Sequence, residues 1–189
     1  MKIVILSGVK KEDRRSAEAC RLLVEEVSSD GREVDLWNLE GIRIAPCTGC
    51  FGCWAKTPGT CVIDDAGRDV AKSALLCDLL VFFTPVTFGG YSSELKKAVD
   101  RLIPLLSPFF MKIGGEIHHR PRYPRYPPIL GLGLLPEPDP EKERIFRTLV
   151  GRNALNYHSP FHMAEVAVAG QEEKLRATVR AALARCERR

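Results

Sequence analysis

The stretch "DLLVFFTPVTFGGYSSELKKAVDR", Asp78 to Arg101, decides how this chain folds. Asp78 to Thr84 is the most hydrophobic short run in the sequence and reads as the central strand of a sheet covered on both faces. Pro85 to Ser92 reads as a loop, and "SELKKAVDRLIPLL" after it as a helix. Outward from this unit the same alternation repeats. "KIVIL" (Lys2 to Leu6) is a β-branched run, the mark of another buried parallel strand. Ala17, Cys20, Leu23, Val24 and Val27 then recur at helical spacing, closed by Asp30-Gly31. "REVDLWNL" alternates polar and apolar residues, as a strand nearer the sheet edge does. A helix follows Asp64-Asp65, which sit where its dipole favours negative charge. "PPILGLGLL", Glu141 to Val150, "MAEVAVAG" and Gln171 to Cys186 read as strand, helix, strand and helix. Five alternations predict a doubly wound α/β fold, a five-stranded parallel sheet in a three-layer α/β/α sandwich. The 189 residues suit one domain, 1–189, with a cysteine loop at 45–63 and an irregular insertion at 108–128.

Composition narrows the function classes. Hydrophobic residues make up 45% and charged residues 28%, as in ordinary globular proteins, and the net charge of +4 is too small to imply nucleic acid without a concentrated patch. The N-terminal apolar run is too short for a signal-peptide core, and no run reaches the roughly 18 to 20 residues of a membrane helix. The expectation is a cytoplasmic protein with no membrane partner. Seven cysteines in a reducing compartment point to metal or redox chemistry rather than a disulfide framework.

In a doubly wound sheet the loops leaving the strands share the carboxyl edge, where ligands bind. The first such loop, "SGVKKEDRRS" (Ser7 to Ser16), offers amides, hydroxyls and cations at a helix N-terminus, which suits a phosphate. It is neither a Walker loop nor a G-x-G-x-x-G fingerprint, and a solvated basic turn with Ser16 as helix cap is the plain alternative. The loop "TPVTFGGYS" offers glycines for close backbone approach to a flat ligand and aromatic faces from Phe88 and Tyr91; a ligand-free turn is the alternative there. Between them, "APCTGCFGCWAKTPGTC" (Ala45 to Cys61) spaces Cys47, Cys50, Cys53 and Cys61 as C-x2-C-x2-C-x7-C. Three consecutive thiolates at this pitch with a later fourth favour an iron–sulfur cluster over zinc, which usually takes two separated pairs, and either over unligated thiols. Cys20, Cys77 and Cys186 read as helix packing residues.

Together these motifs resemble the flavodoxin-like NAD(P)H-dependent FMN reductases, specifically their iron–sulfur flavoprotein branch. The residues that carry the resemblance are "CTGCFGCWAKTPGTCVIDD" and "TPVTFGGYSSELKKAVDR", ending at Asp100-Arg101. The resemblance implies a flavodoxin-like sheet and an FMN-dependent oxidoreductase or electron-transfer flavoprotein. NAD(P)H or a reduced electron carrier would be the donor. Ser7, Arg15 and Ser16 would hold the FMN phosphate, and Pro85, Val86, Thr87, Phe88, Gly89 and Gly90 would line the isoalloxazine. Cys47, Cys50, Cys53 and Cys61 would ligate a [4Fe-4S] cluster. It also implies a homodimer or homotetramer. Flavin chemistry needs no acid–base pair, so no catalytic side chain is assigned, and His118, His119, His158 and His162 read as surface or loop residues.

"GGEIHHRPRYPRYPP" (Gly114 to Pro128) interleaves arginines with tyrosines. Such a segment could clasp a nucleic acid. A single loop at modest net charge reads better as a lid or a subunit interface. The rival class is a non-catalytic scaffold: an electron carrier, or a zinc- or redox-responsive module without flavin.

Overall fold

The computed structural model describes residues 1–168 and 170–188. Five strands, β1 (Lys2–Ser7), β2 (Glu33–Asn38), β3 (Leu79–Pro85), β6 (Ile129–Leu135) and β7 (His162–Val168), form one parallel sheet in the order β2-β1-β3-β6-β7. β3 is central, as its composition requires, and the order reverses between β1 and β3. The expected strand "MAEVAVAG" (Met163 to Gly170) includes Ala169, which lies outside the described residues, and β7 is described to Val168.

The pleat divides the core in two. On β3, Leu80 and Phe82 pack with α3 (Gly67–Leu75), α4 (Ser93–Asp100) and α5 (Pro140–Asn156). Leu79, Val81 and Phe83 face the other way, onto α1 (Arg14–Ser28) and α6 (Glu172–Glu187). Cys20 is on α1 and Cys186 on α6, whereas Cys77 lies beyond the end of α3, where burial pushes its thiol up to about 12.

The segment expected to be irregular, 108–128, is so only from Arg122 to Pro128. It contains a hairpin of β4 (Leu106–Ile113) and β5 (Glu116–Pro121), joined through Gly114 and Gly115 at φ 56° and 92°. Two consecutive positive φ values are what a two-residue hairpin turn with the right twist demands, and Gly-Gly supplies them. His118 and His119 are therefore strand residues, and His118 is buried with its Nδ1 2.9 Å from the Asn156 side chain. The following arginines and tyrosines serve the chain itself. Arg122 donates to the carbonyls of Pro104 and Leu106, the Tyr126 hydroxyl donates to Leu105, and Arg125 pairs with Asp78 at 2.6 Å.

The first and third loops are tied together at the carboxyl edge. The Gly8 amide donates to Phe83, the Ser92 hydroxyl donates to the Gly8 carbonyl at 2.7 Å, and the Ser92 amide donates to the Thr84 hydroxyl at 2.9 Å. A Cβ on Gly8 would lie 2.3 Å from Ser92 Oγ and 2.8 Å from Leu95 Cβ. Gly8→Ala should therefore lower stability by about 1–3 kcal/mol, as overpacking does, measurable as a lower urea midpoint; an unchanged midpoint would mean the loop yields freely.

Candidate functional site

A crevice of about 630 Å³ opens at the carboxyl edge, lined by the first turn of α1, the ends of β3, β6 and β7, and the start of α6. Pro85 and Val86 form part of its wall, with the Val86 amide donating to Leu134. Thr87 and Gly90 exchange backbone hydrogen bonds at 3.0 and 2.8 Å, closing a tight turn with Phe88 and Gly89 at its tip, φ 52° and 79°. Phe88 is 92% exposed, so its ring is open to a ligand. Tyr91 is not: it packs edge-on against Phe82 and Phe146 and accepts from Asn153, which removes it from the candidate aromatic faces.

The α1 end of the crevice departs from the sequence reading. The helix cap is Asp13, three residues before the expected Ser16. Its carboxylate accepts from the Ser16 amide at 3.1 Å and from the Ser16 hydroxyl at 2.5 Å, so both Ser16 donors are engaged by the chain's own anion. Ser7 is buried at the end of β1 and accepts from the Cys20 thiol at 3.7 Å. Arg14 and Arg15 are exposed on the crevice rim, facing Asp13, Glu18 and Glu172 on the same lining.

The four cysteines do not join this crevice. They surround a separate cavity of about 60 Å³ with Phe51, Trp54, Ile63, Arg101, Ile103 and Pro104 in its wall. The expectation that three loops converge fails for one of them because the chain after β2 runs down the α4 layer, burying Leu39 and Ile44 there. The Trp54 indole donates to Leu106 at 3.0 Å, and its ring contacts His119, which contacts Phe110. The hairpin thus buttresses the cysteine segment, a contact that alternation of strands and helices gives no means of foreseeing. Phe51, at φ 55°, starts the short helix α2 (Gly52–Ala55) that carries Cys53.

Arg101 closes the cavity. It donates to the carbonyls of Ala45 at 2.8 Å and Ile63 at 3.2 Å, and pairs bidentately with Asp65 at 2.8 and 2.9 Å. Burial pushes the Asp65 carboxyl up, but Arg101 and the amides of Ala45 and Gly67 outweigh it and hold the group below its ordinary value. Burial raises the Cys53 thiol, whereas the Gly52 amide and the Thr48 hydroxyl lower that of exposed Cys50. Among the described residues no group of three or more His, Cys, Asp or Glu is already drawn together as a metal-ligand set. The four sulfurs share a cavity without being in coordination positions.

The family model of the NADPH-dependent FMN reductases matches residues 1–118, from β1 through the hairpin turn into β5. The chain belongs to that family. An iron–sulfur flavoprotein of Methanocaldococcus jannaschii is 30% identical over 119 residues, 62% of this chain and 61% of that protein. One of Archaeoglobus fulgidus is 28% identical over 101 residues, 53% and 48% of the two chains. This chain therefore spans about half to three-fifths of the length of these relatives. In fold it is similar to an NAD(P)H:quinone oxidoreductase from Methanothermobacter marburgensis, with TM-score 0.66 and 14% identity over 100% of this chain and 94% of that one. It is equally similar to an FMN-dependent NADH-azoreductase from Bacillus anthracis in complex with FMN, with TM-score 0.66 and 11% identity over 99% and 97%.

Of the residues expected to line a flavin ring, Pro85 and Val86 wall this crevice, whereas the Thr87–Gly90 turn, with Gly89 against Ile145 of α5, is outside its lining. At the α1 end, where the resemblance puts a phosphate, the Asp13 carboxylate would repel a second anion. Asp13→Asn keeps an oxygen to cap α1 and removes the charge. FMN affinity of the variant, followed by flavin fluorescence quenching, should rise roughly five- to tenfold, about 1 kcal/mol for one like-charge contact in water. Riboflavin, lacking the phosphate, should gain nothing.

Proposed function

We propose that the protein is an FMN-dependent NAD(P)H oxidoreductase, and that the cysteine cavity holds an iron–sulfur cluster ligated by Cys47, Cys50, Cys53 and Cys61. The observation that carries the flavin reading is the crevice at the carboxyl edge in a chain of this family. FMN, when bound, supplies hydride acceptance from a nicotinamide. The chain's own residues position it. Arg15 offers its cation to the phosphate, Ser7 and the Gly8–Ser92 tie fix the loop beneath it, and Pro85 to Gly90 shape the ring site. No step needs a proton held by a side chain. The cluster reading is supported by four thiols around one cavity, a cation in its wall, and the description of both relatives as iron–sulfur flavoproteins.

Anaerobic purification with a visible spectrum and iron analysis tests both halves. Two flavin bands over a broad shoulder bleached by dithionite, with about four iron per chain, are expected. Cys53→Ser should lose the iron and keep the flavin bands. A protein that stays colourless with added FMN would instead favour a flavin-free module, a reading that has the Asp13 cap in its favour.

A cytoplasmic location is also proposed, because free cysteines suit a reducing compartment; separately, no helix among the described residues is long and apolar enough to cross a membrane. A homodimer through the hairpin is also proposed. Phe109 is 70% and Ile117 66% exposed there, two large apolar side chains left uncovered among the described residues. The double variant Phe109→Lys, Ile117→Lys should run as a monomer in light scattering; a wild-type monomer would refute the dimer.

A further inference from the structure

Arg101 is about 1% exposed, among the largest fully buried side chains of the protein. Four of its five N–H groups are used, two on the carbonyls of Ala45 and Ile63 and two on Asp65. The fifth, on Nε, is buried without an acceptor; among the described residues only His119 Nδ1 shares that condition. A buried unmet donor costs about 1–3 kcal/mol, so its presence asks for an explanation. Its place supplies one: Arg101 is in the wall of the cavity that Cys47, Cys50, Cys53 and Cys61 also line.

The surrounding backbone is shaped to keep it there. Ala45 and Ile63 stand just outside Cys47 and Cys61, so one guanidinium grips both ends of the cysteine segment. Asp65 also accepts from the amides of Ala45 and Gly67 at 2.8 and 2.9 Å. A Cβ at Gly67 would come within 3.0 Å of the guanidinium carbon. If holding the loop were its whole task, the carboxylate would meet the charge and no donor need be left over.

We propose that Arg101 is the positioning residue that sets the reduction potential of the centre bound by the four cysteines, giving it a fixed positive charge and the unmet Nε–H. This rests on the iron–sulfur reading above. Four thiolates around a [4Fe-4S] core of charge +2 leave a net charge of −2, and uptake of one electron makes it −3. A cation in a dry wall favours the more negative state and raises the potential. Asp65 opposes it, so the pair sets the potential by the balance of its two charges.

The test is an anaerobic dithionite titration of the holoprotein, with iron content and potential measured on wild type and on Arg101→Gln, Arg101→Lys and Asp65→Asn. Removing the cation should lower the reduction equilibrium constant at least tenfold, about 59 mV for one electron. Removing the carboxylate should raise it, and Arg101→Lys should stay near wild type. Loosening of the loop alone would move Arg101→Gln and Asp65→Asn the same way, and that result overturns the proposal. So does an unshifted potential in iron-loaded Arg101→Gln. Should Arg101→Gln fail to hold iron, the raised potential of Asp65→Asn with a near-wild-type Arg101→Lys supports the proposal, and a lowered one overturns it. Wild type that takes up no iron on anaerobic reconstitution overturns the cluster reading along with it, whereas iron-loaded wild type with unresponsive variants overturns this proposal alone.

Discussion

A parallel strand as apolar as β3, with no exposed residue from Leu79 to Thr84, must be covered by helices on both faces, and each crossover must return the chain to the amino edge before the next strand begins. Those two demands leave little choice. They place α1 and α6 on one face and α3, α4 and α5 on the other, and they put the turns after β1, β3 and β6 at one rim. The crevice is a product of strand pairing before it is a product of any particular side chain. The Gly8–Ser92–Thr84 hydrogen bonds then hold its two central loops in fixed relation.

The sheet was legible because its periodicities are strong: uninterrupted apolar runs for the inner strands and helical spacing between them. The hairpin was hidden by its flanks. Pro108, Pro121 and the later prolines resemble punctuation, while the Gly114-Gly115 pair between two short β-prone runs, the one local mark of a turn, lay in their midst. Its burial is also tertiary. His118 is covered by Asn156 on α5 and His119 lies between Trp54 and Phe110, and no window of sequence contains those partners.

The candidate site was legible in its residue types and less so in its arrangement. The spacing of the cysteines indicates that they act together, and all four do line one cavity. It carries no information on where the segment is anchored, which Arg101 decides from 40 positions downstream of the last of them. Ser16 and Asp13 illustrate a different limit. Both are good capping residues, and which one caps depends on where the helix begins. The helix begins at Arg14, so Asp13 takes the role and the loop after β1 ends on a carboxylate at the helix start.

Helix α4 links the two places where chemistry is expected. Ser92, its cap, ties the loops at the carboxyl edge, and Arg101, just past its last residue, belongs to the cysteine cavity. The eight helical residues between them set nine steps of about 1.5 Å, a separation of about 13.5 Å, and fix their angular phase. One residue more or fewer would turn Arg101 by about 100° relative to Ser92 and aim the guanidinium away from the sulfurs. The length of this helix is therefore under a stricter constraint than its composition. Its exposed lysines and acids are exchangeable, but their number is not, because the helix works as a ruler between the carboxyl-edge loops and the four-cysteine cavity.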